Sequence, residues 1–474
     1  VDGQRRAADQ HARGDVALVF NPVGDGMRFR FLHCADVHLG RHRHGNVERY
    51  GDYFTALGAV VEHAVRERVH AVLIAGDLFD EQRPSAETLL RAMSTLRPLR
   101  EAGITAFAIE GNHDRRTRGE RFGALDLLDA EGYLVLLRPE YGDDGPLLPD
   151  WAPGQGGAVY RAASDVAIVG LGFLAHSIEE QLAAAAAQLP SERAVIVLAH
   201  VMVLRGESEL EYGCVREEQL EILRDRVQYL ALGHRHTRRG MDEEAEGWVF
   251  NPGSLEFVNP LDYHLPPELR GFLDVTIGDD EPPAEAGKLR RHEDVFVHAR
   301  HVPTEKRPAH TVRVTLDGCS TPDAVIEQVL HVAAEQLPID NDAPQPIIIV
   351  RLTGSPALSR SRIPRAAIAE RLREQLGALH VEVLDRDLEQ EVSTELLLID
   401  ERDLEHVTDR ARAIAAELLR GAGMAHGREA ELAAALLDVK AALGGSGRSD
   451  SQAQFGRMRD MLRPFVEYDE EDAP

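Results

Sequence analysis

Five short aliphatic, β-branched runs, at residues 29–34, 71–75, 106–110, 194–199 and 227–232, are each followed at once by acid, amide or imidazole side chains. Those polar residues are Asp36-x-His38, Gly76-Asp77, Gly111-Asn112-His113-Asp114, His200 and Gly233-His234-x-His236. Runs of this length and composition read as buried strands. In sheets covered by other layers, the crevice beyond the carboxyl ends of the strands is where distant segments meet, so the five are expected to converge on one pocket. Helical spacing fills the intervals. Phe54, Leu57, Val60, Val61, Ala64 and Val65 mark one helix over 53–69, and Leu89, Leu90, Met93 and Leu96 mark a second that starts near Ser85 and ends by Gly103. A third is expected to start at Ser177, where Ser177-x-x-Glu180 has the form of a capping box. Residues 204–221 read as a polar flap with one helix, and 248–250 and 271–277 as closing strands. The pattern is that of a layered α/β sandwich.

At 474 residues the chain exceeds one ordinary core, so two or three domains are expected. Residues 1–26 read as a disordered leader before Met27, and 27–277 as the main domain. Residues 278–294, rich in Pro, Gly and acids, read as a linker. Strand-like runs at 310–316, 347–352 and 380–384, separated by helical runs at 323–336 and 364–376, make 295–398 a small α/β cap domain. Residues 399–474 read as a helical C-terminal segment with an acidic tail. Its apolar stripe of Leu404, Val407, Ala411, Ile414, Leu418 and Leu419, and a second of Phe455, Met458, Leu462 and Phe465, would pack on their own domain or dock on a partner. No apolar stretch approaches the roughly 20 residues of a membrane helix. Three scattered cysteines, Cys34, Cys214 and Cys319, fit neither a disulfide framework nor a zinc finger, which points to a reducing cytoplasm.

The formal charge of −27 is awkward for a chain that binds nucleic acid. Its distribution matters more than its total. Arginines cluster just after the polar segments: Arg41 and Arg43, with His44 beside them; Arg115, Arg116, Arg118 and Arg121; Arg235, Arg238 and Arg239. One loop arginine alone is no more than a solvated charge. Three clusters beside three polar segments form a basic rim on an acidic body, and Arg41, Arg43, His44, Arg115, Arg116, Arg118, Arg235 and Arg238 are the candidate contacts for a phosphate backbone.

The donor set itself suits two divalent cations about 3.5–4 Å apart, which can activate a water, hold a phosphate and offset charge on attacking and leaving oxygens. Asp77, at the end of the most apolar run, is the candidate bridge. Asp36, His38 and His236 would complete one site, and Asn112, His200 and His234 the other. Mixed oxygen and imidazole donors favour manganese, iron or zinc over calcium or magnesium, and the absence of cysteine excludes a thiolate site. His113 reads as catalytic, giving a proton to the leaving oxygen or stabilising charge, with Asp114 fixing its tautomer. An isolated histidine, such as His42, His63 or His292, is more often a surface or hydrogen-bonded core residue.

These segments resemble the calcineurin-like metallophosphoesterase superfamily. Phe31-Leu-His33-Cys-Ala-Asp36-Val-His38-Leu-Gly40, Tyr229-Leu-Ala-Leu-Gly233-His234-Arg-His236, Asn251-Pro-Gly-Ser254 and Arg270-Gly-Phe272 are similar to its DNA-repair branch, that of SbcD and the meiotic-recombination nucleases. The resemblance covers about 27–277. It implies a four-layer α-β-β-α sandwich and a manganese-dependent exonuclease and endonuclease acting on DNA ends in double-strand-break repair. It also implies a DNA-capping role for 295–398, a homodimer, and an SMC-like coiled-coil ATPase docked on the C-terminal helices. The metal-ligand roles carry over to Asp36, His38, Asp77, Asn112, His200, His234 and His236, and the transition-state role to His113. Some members have histidine where this chain has Asp80. Two rival readings use the same features: a phosphatase or cyclic-nucleotide phosphodiesterase with a small substrate, and a scaffold that holds DNA ends for an ATPase without cutting them.

Overall fold

The computed structural model describes residues 26–41, 47–117, 119–142, 145–204, 212–241, 247–258, 267–280, 287–292, 294–337 and 344–388, with 416 and 431–432. The disordered leader expected over 1–26, except Gly26, and the helical segment expected over 399–474, except those three residues, lie outside it, as do Arg43, His44 and Arg118. The chain divides into two compact units, Val1–Arg307 and Pro308–Pro474.

In the first unit one sheet contains β1 (Arg28–Cys34), β2 (Ala71–Ile74), β3 (Thr105–Ala108), β4 (Val135–Leu136), β14 (Gly271–Gly278), β15 (Lys288–His292) and β16 (Val295–Pro303), in the order β15-β16-β14-β1-β2-β3-β4. After the small hairpin β5 (Glu140–Gly142) and β6 (Gly145–Leu147), the second sheet is built from β7 (Val159–Ala163), β8 (Val166–Phe173), β9 (Ala194–His200), β12 (Tyr229–Gly233) and β13 (Val249–Phe250), in the order β13-β12-β9-β8-β7. A short parallel pair, β10 (Met202–Leu204) and β11 (Cys214–Arg216), follows β9.

The period of two along each strand assigns its faces. Phe29 and Phe31 of β1 join Ile196, Leu198, Tyr229 and Ala231 in the core between the sheets, whereas Leu32 and Cys34 face the helices Val47–Glu67 and Ala86–Glu101. On the far side of the second sheet, Val195 and Val197 pack against Ile178, Leu182 and Ala185 of helix Ile178–Ala186. Both sheets are therefore buried on both faces, and the layers run α-β-β-α. The second helix begins where expected, with Ser85 Oγ accepting from Thr88 N at 3.1 Å. The third also begins after Ser177, but Ser177 is left-handed (φ 48°) and makes no side-chain cap, so the expected capping box does not form.

The linker expected over 278–294 does not separate two domains. Strand β16 pairs antiparallel with β14 from Gly271↔Pro303 to Gly278↔Phe296, and β15 adds to its edge, so the segment folds back into the first sheet and the units part after Arg307. The second unit holds a parallel sheet of β17 (Ala309–Thr315), β18 (Ile347–Gly354) and β19 (His380–Leu388) with helices Pro322–Gln336 and Arg365–Leu376, around Val312, Val314, Ile348, Val350, Val329 and Ile368. Among the described residues no helix is long and apolar enough to cross a membrane.

Candidate metal centre

Strands β1, β2, β9 and β12 run parallel within their sheets, so the loops after them emerge at the same end. Asp36 and His38 follow β1, Asp77 follows β2, Asn112 and His113 follow β3, His200 ends β9, and His234 and His236 follow β12. The structure brings all of them together. Carboxylate and ring-nitrogen atoms of Asp36, His38 and His236 lie within 4.8 Å of one another, as do those of Asp36, Asp77 and His200, and of His38, Asp77 and His113. Asp77 belongs to two of these groups, which supports the bridging position assigned to it. Asn112 Oδ1 sits 3.1 Å from His200 Nε2 and 2.9 Å from His234 Nδ1, so the amide shares the second group as expected.

The backbone is bent to make this possible. Asp36 (φ 51°), His38 (φ 53°), Asp77 (φ 52°) and His234 (φ 77°) are four of the six non-glycine residues at positive φ among the described residues. Each such conformation costs about 1 kcal/mol or more and persists where the surroundings over-determine it, commonly at functional sites. Gly76 (φ 90°) allows a close approach: a Cβ there would stand 2.3 Å from His200 Nδ1.

Hydrogen bonds set the tautomers. His200 Nδ1 donates to Ala75 O at 2.8 Å, because a carbonyl only accepts, and this leaves Nε2 facing Asp77 Oδ2 at 3.2 Å. Asp80 Oδ1 lies 3.0 Å from His38 Nδ1, so the other ring nitrogen, Nε2, turns to the cluster and meets His236 Nε2 at 3.3 Å. A buried Asp36 Oδ2 with no hydrogen-bond partner is costly unless a cation lies beside it. This seven-residue set of carboxylate, amide and imidazole donors, with its ring nitrogens aimed inward, fits two divalent ions. Burial alone would lower His200, but the Asp77 carboxylate raises it to about 9. Burial and the neighbouring His200 hold His234 down, to about 4.

Three expectations change. Asp114 does not fix the His113 tautomer. Its carboxylate accepts from Leu78 N (2.7 Å), Phe79 N (3.2 Å) and Gly111 N (2.8 Å), tying the loop after β2 to the loop after β3. Burial and the Asp77 carboxylate push Asp114 up, to about 7, against those donors. The ring of His113 is held instead by Asp80 O, 2.8 Å from Nδ1. Asp80, noted in the sequence only as a departure from some members of the family it resembles, is thus a hub: its carbonyl orients His113 and its carboxylate orients His38. Its place three residues after Asp77 was the available signal.

Second, Arg41 is not a rim residue, since its Nη1 donates to Asp80 Oδ1 at 2.6 Å and its side chain is only 15% exposed. Third, the other described arginines are not alike. Arg115, 3.3 Å from Tyr212 OH and over the Phe173 ring, and Arg235, with Nε 2.7 Å from Thr237 Oγ1, are exposed, whereas Arg116, whose Nη1 donates to Arg121 O, and Arg238 are half-buried. Beside His113 a shallow cleft of about 480 Å³ is lined by Asp80, Gln82, Arg83, Asn112 and Thr117. Phe173, which the sequence reading passed over, packs its ring 5.5 Å from that of His234 and 6.0 Å from that of His200.

Residues 29–238 match the calcineurin-like phosphoesterase family. The DNA double-strand break repair protein Mre11 of Methanosarcina mazei is 26% identical over 398 residues, covering 82% of this chain and 54% of that protein. The Mre11 of Aeropyrum pernix is 27% identical over 344 residues, covering 70% of this chain and 75% of its own length. That of Archaeoglobus fulgidus is 40% identical over 108 residues, covering 23% of this chain and 24% of its own. The chain thus spans about half the length of the Methanosarcina relative.

Proposed function

Because the chain belongs to the calcineurin-like phosphoesterases, and within them to the DNA-repair branch, we propose that it is a dinuclear-metal-dependent DNA nuclease that acts on DNA ends. The observation that carries the metal reading is the clustering of Asp36, His38, Asp77, His200 and His236 in overlapping groups, with Asn112 joining His200 to His234 and a buried Asp36 Oδ2 without a hydrogen-bond partner. Similarity to the repair proteins carries the choice of DNA over a small phosphoester.

When bound, the cations supply a water nucleophile at neutral pH and neutralise charge on the phosphate. The chain's residues do the rest. Asp36 and Asp77 supply the negative charge that attracts the ions; His38 presents a lone pair whose direction Asp80 fixes, and His200, aimed by Ala75 O, would present one on giving up its proton to solvent as an ion binds. His113 donates from Nδ1 to Asp80 O, so its Nε2 is the nitrogen left to act. A neutral His113 would therefore only accept there, and giving a proton to the leaving oxygen requires its imidazolium form. We assign manganese as the working metal, on the mixed donor set, with iron or zinc as the other candidates. An SMC-like ATPase as partner, a homodimer, docking through 399–474 and DNA capping by the second unit belong to the same proposal and rest on the family resemblance.

The test is release of nucleotides from an end-labelled duplex with manganese, for the wild type, His113→Ala and Asp77→Asn. Manganese-dependent release that both substitutions abolish supports the proposal. Absence of release with intact hydrolysis of a generic phosphodiester, also when an SMC-like ATPase is supplied, would favour the small-substrate phosphoesterase.

A further inference from the structure

Arg270 is the largest of the fully buried side chains, 1% exposed, and it stands just before β14, far in sequence from every metal-binding candidate. Its Nη1 donates to the main-chain carbonyl of His236 and, at 2.7 Å, to Ser254 Oγ. Ser254 N donates to the same His236 carbonyl at 3.2 Å. The turn 251–254 presses on that loop at close range. Gly253 is left-handed (φ 76°), and a Cβ there would lie 2.9 Å from His236 O and 3.1 Å from Arg238 N. Asn251 completes the grip, donating from Nδ2 to Gly233 O at 3.1 Å and pairing its main chain with that of Arg239 in both directions. The loop carrying His234 and His236 is thus held from behind along its length.

We infer that Arg270 is a positioning residue for the metal centre: by holding the carbonyl of His236 it fixes the imidazole that completes the cation position shared with Asp36 and His38. This rests on the two-metal reading above. The rings of His38 and His200 are oriented by Asp80 and Ala75 O, and the main chain of His236 is held by Arg270 and Ser254. A guanidinium is a costly group to bury, and here one nitrogen, Nη1, meets a carbonyl and a hydroxyl at once. The guanidinium lies over the Phe257 ring at 5.7 Å, and the Arg270 main chain is tied separately, its carbonyl accepting from Lys306 Nζ at 3.2 Å.

The experiment is calorimetric titration of the full chain with Mn2+, paired with electron paramagnetic resonance of the loaded protein, for the wild type, Arg270→Met, Arg270→Lys and His236→Ala. The wild type is expected to take two ions and give the signal of a coupled pair. Arg270→Met is expected to bind one of the two about 10–100-fold more weakly, the range for losing a residue that orients a ligand, and to give the signal of isolated Mn2+ at low loading. Arg270→Lys should recover part of the loss, and His236→Ala should cost less at that ion when added to Arg270→Met than it costs in the wild type. Should Arg270→Met fail to fold, Ser254→Ala loosens the same carbonyl from the other side and is expected to weaken the same ion by up to about tenfold. Two ions bound with wild-type affinity and coupling in Arg270→Met, or in Ser254→Ala where that variant stands in, would overturn the inference. A wild type that binds fewer than two ions would instead overturn the two-metal reading.

Discussion

Removing the Asp80 carboxylate tests how the centre is assembled. One oxygen of that group lies 3.0 Å from His38 Nδ1 and 2.6 Å from Arg41 Nη1, and the His38 ring is completely buried. Burial pushes the His38 imidazole down, and the bond to Asp80 opposes it. In Asp80→Ala the buried His38 Nδ1 loses its acceptor, and the neutral ring can move its proton to Nε2, which withdraws the lone pair aimed at the cluster. Loss of a carboxylate behind a ligand histidine typically costs 10–100-fold in metal affinity or activity, or about 1.4–2.8 kcal/mol. Asp80→Asn keeps an oxygen acceptor and is expected to lose less than about tenfold. Arg41→Ala, acting only through Asp80, should lose less still. The assay is the Mn2+ dependence of phosphodiester hydrolysis, with melting of the ion-free variants as a check on folding. A Mn2+ dependence within about twofold of wild type in Asp80→Ala would refute the orienting role.

Three further outcomes are expected. In Gly76→Ala the new methyl meets His200 at a left-handed position, so both Mn2+ binding and melting temperature should fall, by about 2 kcal/mol or more in stability; unchanged melting would show that the close approach is relaxed in solution. Asp114→Asn sets an amide N–H against one of three main-chain donors and should cost about 1–3 kcal/mol in denaturant unfolding, with His113 orientation and kcat disturbed only secondarily; a full loss of activity in a stable Asp114→Asn protein would restore a direct chemical role. Asp274, whose burial would raise its carboxyl but which Arg30 and His63 hold below the usual range, gives stability that is present above about pH 4 and lost as pH falls below it. Asp274→Asn should therefore melt lower at pH 7, by about 2 kcal/mol, and the gap should begin to narrow below about pH 4 and go on narrowing well below pH 3; a gap independent of pH would contradict the assignment.

The placement of the candidate site was largely legible because its signal is local: an apolar run predicts a buried strand, and the next polar residues must lie at its carboxyl end. Asp36, His38, Asp77, Asn112, His200, His234 and His236 are all found there. What was not legible depends on turn conformation and on distant pairing. Asp114 follows His113 directly, yet the turn over 111–114 sends its carboxylate to three main-chain donors and leaves the imidazole to Asp80 O. The Pro-, Gly- and acid-rich 278–294 has the composition of a linker, but β15 within it pairs with β16, which pairs back onto β14, and no local pattern reports a returning hairpin. Arg41 resembled its neighbours as a loop cation until the fold placed Asp80 against it. Arg270, some 34 positions from His236, carried no sequence sign of its contact with that carbonyl.

The most direct test of the central claim is a crystal soaked in Mn2+ and measured at the manganese edge. The account predicts two anomalous peaks about 3.5–4 Å apart with the Asp77 carboxylate between them, one beside Asp36, His38 and His236 and the other beside Asn112, His200 and His234. A single peak, or peaks away from these side chains, would contradict it.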